Sequence, residues 1–284
     1  MLKSRVITAV TLLLLLLIFM FVLPDLWWAG LVLVMVMQGM LEWAKLSRMS
    51  ANMAYLYGGL TLAMMLAVLW FDGNYSDAEQ LVPHLLVYTV AALFWLIIVP
   101  TWMIAGWKVE NALLMGLAGW AVLIPTGLAM LDLHGRESQE MSVSGTGPLL
   151  LLFLMGLVWV ADIGAYFAGR RFGKNKLAPS ISPGKTWEGV AGGMLGVSIY
   201  IILVWSISPY SGNLAILPVL LMAAWWWVGL AVIGDLFESA IKRQAGVKDS
   251  GALLPGHGGL LDRIDALTPT LPLAALVILM QQLT

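Results

Sequence analysis

The chain has 284 residues, 61% of them hydrophobic and 11% charged, with a formal net charge of −1, a mean hydropathy of +0.90 and no cysteine. That balance excludes a soluble globular domain and a nucleic-acid binder built on bulk positive charge. The missing cysteines exclude disulfides, thiolate catalysis and Cys-based metal sites. The alternating ten-residue segments of a membrane β-barrel are not found, so the expected fold class is all-α, a polytopic helical membrane protein.

At about 20 apolar residues per crossing, the sequence offers about nine spans, at residues 6–23, 26–43, 53–70, 81–105, 111–131, 148–169, 189–207, 213–234 and 266–283. The first apolar run has no small-x-small cleavage site after it and reads as a retained span, not a signal peptide. Pro24 and Asp25 alone separate it from the second, which predicts a tight hairpin. With the N-terminus in the cytoplasm, Lys3, Arg5, Lys45, Arg48, Lys108, Arg170, Arg171, Lys174, Lys176, Lys185, Lys242, Arg243, Lys248 and Arg263 all fall inside, and only Arg136 falls outside. Acids such as Asp72, Asp77, Glu79, Glu137 and Glu140 occupy the outer loops. This segregation gives the N-terminus cytoplasmic and the C-terminus outside. Residues 1–284 read as a single integral membrane domain, with the chemistry in two cytoplasmic loops, 170–188 and 235–265.

In the sixth span lies Asp162, the one charge expected within the membrane, at a cost of a few kcal/mol unless it faces a polar cavity or partner. Tyr166 is one turn on, on the same face. The segment "GRRFGKNKLAPSISPGKTWEG" (169–189) follows. Its basic residues also suit a plain positive-inside anchor. A P-loop is ruled out, because Pro179 stands where the motif needs a glycine and no β-strand is expected before it. What remains is a turn carrying Ser182, Lys185 and Thr186 ahead of a helix, a setting that favours a phosphate.

The eighth span leaves the membrane through "VIGDLFESAIKRQAG" (232–246), where Asp235, Glu238, Ser239 and Lys242 share one helical face and Arg243 lies a turn after Ser239. Glu238 and Lys242 also read as a simple ion pair. Asp235 stands at the membrane boundary, where a bound cation would account for it. Lys248 and Asp249 come next, then "SGALLPGHGG", whose Gly256, Gly258 and Gly259 permit positive φ and close approach to a ligand. His257 between them can donate a hydrogen bond or a proton. Asp262, Arg263 and Asp265 stand at the mouth of the last span. Carboxylates suit a hard cation such as Mg²⁺, and lysine and arginine suit phosphate. Together they describe phosphoryl or nucleotidyl transfer, in a membrane enzyme that acts on a phosphorylated lipid with a nucleotide.

"SAIKRQAGVKDSGALLPGHGGLLDRID" (239–265) resembles the signature of the phosphatidate cytidylyltransferase (CDP-diacylglycerol synthase) family: S-x-x-K-R, four residues, K-D, a short glycine-containing stretch, H-G-G, two residues, D-R-x-D. Residues 182–189 look like the family's second conserved stretch, with Gly184 where many members have a lysine. The resemblance implies that CTP and phosphatidic acid give CDP-diacylglycerol and pyrophosphate with Mg²⁺, with K⁺ as a second cation, in a homodimer of the bacterial inner membrane whose site faces the cytoplasm. It maps the metal aspartates onto Asp235 and Asp262, with Ser239 close by. Lys242, Arg243, Lys248 and Arg263 then screen phosphate charge, and His257 joins them. Ser182, Lys185, Thr186, Ser239, Gly258 and Gly259 hold substrate, and Asp249 and Asp265 either orient the basic groups or add ligands. CTP, phosphatidic acid and the lipid bilayer are the expected partners, and nucleic acid is not. The alternatives are a transporter or flippase of anionic phospholipid and a CTP-dependent lipid kinase. A CDP-alcohol phosphotransferase is rejected, because Asp72-Gly73, the sole Asp-Gly, lies in an outer loop.

Overall fold

The computed structural model describes residues 2–74, 77–135, 146–253 and 258–281. His257, Arg136, Glu137, Glu140 and Gly256, all singled out above, lie outside the described residues. In chain order the elements are α1 (Leu2–Phe21), α2 (Asp25–Leu46), α3 (Ala51–Asn74), α4 (Asp77–Leu93), a π-helical turn (Phe94–Ile98), α5 (Val99–Ala105), α6 (Ala112–Gly135), α7 (Thr146–Phe172), β1 (Lys176–Ala178), β2 (Ser182–Thr186), α8 (Trp187–Ile207), α9 (Leu217–Ala245), α10 (Leu261–Ile264) and α11 (Leu267–Gln281).

The chain is a helical membrane protein. Among the described residues, seven helical segments are long and apolar enough to cross a bilayer; α4, the π turn and α5 act as one of them, Leu81–Ala105. Two further apolar helices, Ile7–Phe21 and Leu267–Gln281, are shorter. The last lies within the expected span 266–283, of which residues 282 and 283 fall outside the described residues. At 15 residues α11 is about 22 Å long. It is buried continuously from Leu267 to Ala275, with Pro269 and Pro272 inside it, against α4, α6 and α9. Beyond Ala275 it opens outward, with Val277 and Met280 exposed.

Small residues let the helices approach closely, the usual device where lipid removes a hydrophobic drive for association. In the α7–α8 pair a Cβ at Gly164 would strike the carbonyl of Gly192, and one at Gly192 would strike Ala168. On α6, Gly119 leaves room for the Trp43 and Tyr57 side chains. The buried polar atoms there find partners, since none is available from lipid: Trp43 Nε1 donates to the Met115 carbonyl at 2.7 Å, Tyr57 Oη to Gly116 at 2.9 Å and Trp28 Nε1 to Met130 at 3.1 Å.

One departure from the expected layout bears on the site. The segment read as a loop holds a two-stranded antiparallel hairpin, pairing Lys176 with Thr186 and Ala178 with Ser182. As the spacing of its polar residues implies, α9 continues beyond the apolar run as far as Ala245. It stops at Gly246, whose φ of +79° is the left-handed cap that glycine supplies. Asp235 to Arg243 therefore ride a rigid helix.

Asp162 is not the lone ionisable residue in the spans. Glu42 of α2 is completely buried and His84 of α4 nearly so. His84 bridges two carboxylates, with Nε2 at 3.0 Å from Asp72 and Nδ1 at 2.9 Å from Asp132, which also accepts from Tyr88 Oη at 2.7 Å. This triad ties α3, α4 and α6 together. It lies at the far end of α3, about 30 Å along that helix from the α2–α3 turn.

Candidate active site

The side chains that converge come from α7, β2, α9 and the segment around α10. On α9 the three- and four-residue spacing puts Asp235, Glu238, Ser239 and Lys242 on one face, as expected. Lys242 Nζ lies 3.0 Å from Glu238 Oε2 and 2.5 Å from Asp262 Oδ1, so it joins α9 to α10. Lys185 projects from β2 to Asp235 Oδ2 at 2.5 Å, which brings the hairpin onto the same face. Ser239 Oγ is 3.4 Å from Asp235 Oδ1. Asp162 lies within electrostatic reach of Asp235, Lys185 and Arg263.

Asp262 is the most heavily bonded of these carboxylates. Besides Lys242 on Oδ1, its Oδ2 accepts from Gly259 N at 2.8 Å and from Ser250 N and Oγ at 3.0 Å each. Burial pushes its pKa up. The Lys242 hydrogen bond, the Gly259 and Ser250 N–H groups and the Lys242 charge outweigh that and hold it below the usual carboxylate range. Gly258 has φ +85° and lies so close that a Cβ there would come within 2.7 Å of Asp262 Oδ2. The glycines therefore permit the tight fold of backbone around Asp262.

Asp265 behaves oppositely. Burial, then the charges of Asp235 and Glu238, push its carboxyl well above the ordinary range. It lies within hydrogen-bonding reach of Glu238, which requires a proton on one of the two. Apart from that shared proton, the buried Glu238 Oε1 meets no donor.

Not every expected residue joins this cluster. Thr186 is buried and caps α8, its Oγ1 accepting from Gly189 N at 3.1 Å, so it serves the helix start. Arg243 points away from the acidic face of α9. It donates to the carbonyls of Val247 at 3.0 Å and Ile181 at 3.4 Å, and it borders an open cavity of about 740 Å³ that it shares with Arg48 and Lys108. Lys248 and Asp249 are exposed, and Ser182 is half-buried within β2.

Glu42 was not singled out from the sequence, where it is one acid at the end of an apolar span followed by Lys45 and Arg48. Its side chain accepts from Gln38 Nε2, Leu260 N and Leu261 N at 2.9 Å each and from Ser250 Oγ at 2.8 Å. The rule that an ionisable residue within a span needs a purpose, applied above to Asp162 alone, was the signal that could have found it.

The donor set suits a hard divalent cation. The candidate ligands are all carboxylate oxygens, Glu238 Oε1 lacks a donor beyond the proton shared with Asp265, and Asp235 and Asp262 each already hold a cationic ammonium. Carboxylates outnumber the ammonium and guanidinium groups beside them. Such a constellation at the polar end of a membrane bundle is the kind that membrane-embedded enzymes of phosphate-group transfer use. Residues 3–281 match the cytidylyltransferase family, and the chain belongs to it. It is thus a nucleotidyltransferase. The chain is 36% identical over 281 residues to a phosphatidate cytidylyltransferase of Haemophilus influenzae, covering 96% of each chain. To one of Pseudomonas aeruginosa it is 38% identical over 280 residues, covering 97% of this chain and 96% of the other. A phosphatidate cytidylyltransferase of Thermotoga maritima is 44% identical over 128 residues, 44% of this chain and 47% of the relative.

Proposed function

We propose that the protein is a phosphatidate cytidylyltransferase, converting CTP and phosphatidic acid to CDP-diacylglycerol and pyrophosphate in phospholipid synthesis. The observation that carries this is the convergence of Lys185, Asp235, Glu238, Lys242, Asp262 and Asp265 from three separate stretches into one charged cluster, in a chain similar along its length to relatives of that name.

The chemistry needs no strong base. A lipid phosphate oxygen, already anionic at neutral pH, attacks the α-phosphorus of CTP; the new P–O bond forms as the α–β bridge breaks, and pyrophosphate leaves with that electron pair. The obstacle is repulsion between two polyanions. Lys185, Lys242 and Arg263 supply positive charge, while Gly258 and Gly259 keep backbone near the reacting groups. Mg²⁺ would be held by Asp235 and Asp262 with Glu238 and Asp265 behind them, and would supply charge neutralisation for the departing pyrophosphate. K⁺ serves as a second cation in this proposal, the working form is a homodimer, and the site faces the cytoplasm from a bacterial inner membrane, where the basic loops belong by the positive-inside rule.

Purified protein in detergent with phosphatidic acid, Mg²⁺ and CTP tritiated in its base tests the proposal. Tritium moving into chloroform-soluble lipid supports it. Tritium confined to the aqueous phase across detergents and salts rejects it, and rejects it in favour of the kinase alternative if lipid is phosphorylated instead.

A further inference from the structure

Glu42 reaches the candidate site from the opposite end of the sequence. It lies on α2, is 0% exposed, and its carboxylate has no Lys or Arg within ion-pairing distance among the described residues. Four donors surround it instead: Gln38 Nε2 and Leu260 N on Oε1, Leu261 N and Ser250 Oγ on Oε2. Three of the four belong to the segment that carries Asp262. A buried carboxylate met by this many aimed donors organises the groups that donate.

The connection to Asp262 is direct. Ser250 has one hydroxyl proton and two carboxylate neighbours, Glu42 Oε2 at 2.8 Å and Asp262 Oδ2 at 3.0 Å. Its backbone N–H also donates to Asp262 Oδ2. The packing leaves no slack here: a Cβ on Gly259 would collide with both Ser250 Oγ and Glu42 Oε2, and one on Gly251 would lie 2.9 Å from Glu42 Oε1. Glu42 thus grips the segment on both flanks of the Gly-rich stretch, at Ser250 before it and at Leu260 and Leu261 after it.

We infer that Glu42 is a positioning residue for Asp262: it sets the register of the Ser250 and Leu260–Leu261 backbone, and through Ser250 the direction in which the Asp262 carboxylate points. The inference rests on the proposed function for its catalytic meaning, but its geometry can be tested without turnover. In Glu42→Gln one acceptor oxygen becomes an N–H₂ donor facing N–H donors, at nearly unchanged volume. Ser250→Ala removes only the shared hydroxyl and keeps the Ser250 N–H bond.

The experiment compares wild type, Glu42→Gln, Ser250→Ala and the double variant, each in detergent. Two quantities are read: kcat and KM for CTP in the tritium assay, and binding of Mn²⁺ followed by its electron paramagnetic resonance signal. Changing a residue that orients a ligand costs about 10–100-fold in metal affinity or activity. Glu42→Gln is expected to fall in that range in kcat and in Mn²⁺ affinity, with KM for CTP within about threefold of wild type. Ser250→Ala is expected to lose less, and the double variant to match Glu42→Gln, because both act through one path. Losses that multiply in the double variant, or a Ser250→Ala protein with wild-type Mn²⁺ binding, overturn the inference. If Glu42→Gln fails to fold, the Ser250→Ala result decides alone. Wild type that transfers no tritium defeats the proposed function and leaves the Mn²⁺ comparison standing as the test of this inference.

Discussion

At the far end of the bundle, His84 stands between Asp72 and Asp132 with a carboxylate on each ring nitrogen and Tyr88 on the second aspartate. At the other end, Asp162, Asp235, Glu238, Asp262 and Asp265 crowd around Lys185, Lys242 and Arg263, and the buried Glu238 Oε1 meets no donor beyond the proton shared with Asp265. Both clusters hold ionisable groups inside an apolar helical protein, where each is costly to bury. The first ties three helices through one imidazole, both of whose nitrogens meet a carboxylate. The second gathers carboxylates and cations from α7, β2, α9 and the α10 segment, stays open to its surroundings at Asp162 and partly so at Asp235, and lies beside glycines that let backbone fold closely around Asp262. A structural tie needs few groups and no opening; a site for a cation and two phosphate-bearing substrates needs both signs of charge and access. On the proposed function, the triad serves stability and the carboxylate–lysine cluster serves chemistry.

Substitutions can break that contrast. Asp235→Ala and Asp262→Ala have the largest expected effect, each lowering kcat by about 10³-fold while leaving the protein inserted and folded; near-normal turnover of either across a Mg²⁺ titration would remove it from the metal site. Lys185→Ala removes the tie from β2 to Asp235 and one of the cations, with an expected loss of about 10–100-fold in kcat/KM. His84→Asn should do the reverse. It leaves two buried carboxylates without their bridge, so thermal unfolding in detergent should show a loss of about 3 kcal/mol, with kcat per folded molecule unchanged. A drop in kcat at unchanged stability would erase the distinction between the two ends. The smallest effect concerns pH. Asp265 has a folded-state pKa raised well above its unfolded value, so its stabilising contribution is complete below the unfolded carboxyl pKa of about 4 and is lost as pH rises through the folded value. Measured in chelator, wild-type stability should decline over that window and Asp265→Asn should flatten the decline. Asp262, with its pKa lowered, works with the opposite sign: its contribution is present above the unfolded value and disappears as pH falls through the folded one.

Much of this was legible in the sequence because it is written in periods and runs. Apolar stretches marked the helices, and the three- and four-residue spacing put Asp235, Glu238, Ser239 and Lys242 on one face of α9. Hydropathy does not distinguish a helix facing lipid from one facing protein, so the burial of α11 from Leu267 to Ala275 left no mark in its composition. The β1–β2 hairpin is too short, and its Pro183-Gly184 too turn-like, to register as strands. Pairings between distant segments leave no periodic trace either. Lys185 with Asp235, and Glu42 with Ser250 and Leu261, exist only once α2, α9 and the hairpin are packed. The capping role of Thr186 on α8 was equally illegible, because an N-cap threonine and a phosphate-binding one occupy the same place before a helix.

The central claim is that the carboxylate–lysine cluster transfers the cytidylyl group, not the terminal phosphate, to phosphatidic acid. The direct measurement incubates the purified protein with phosphatidic acid, Mg²⁺ and CTP labelled in either the α- or the γ-phosphate, alongside Asp235→Ala. The expected result is α-label in chloroform-soluble lipid, γ-label in pyrophosphate, and neither transfer in the variant. Label from the γ-phosphate in lipid, or α-label transfer undiminished in Asp235→Ala, would contradict it.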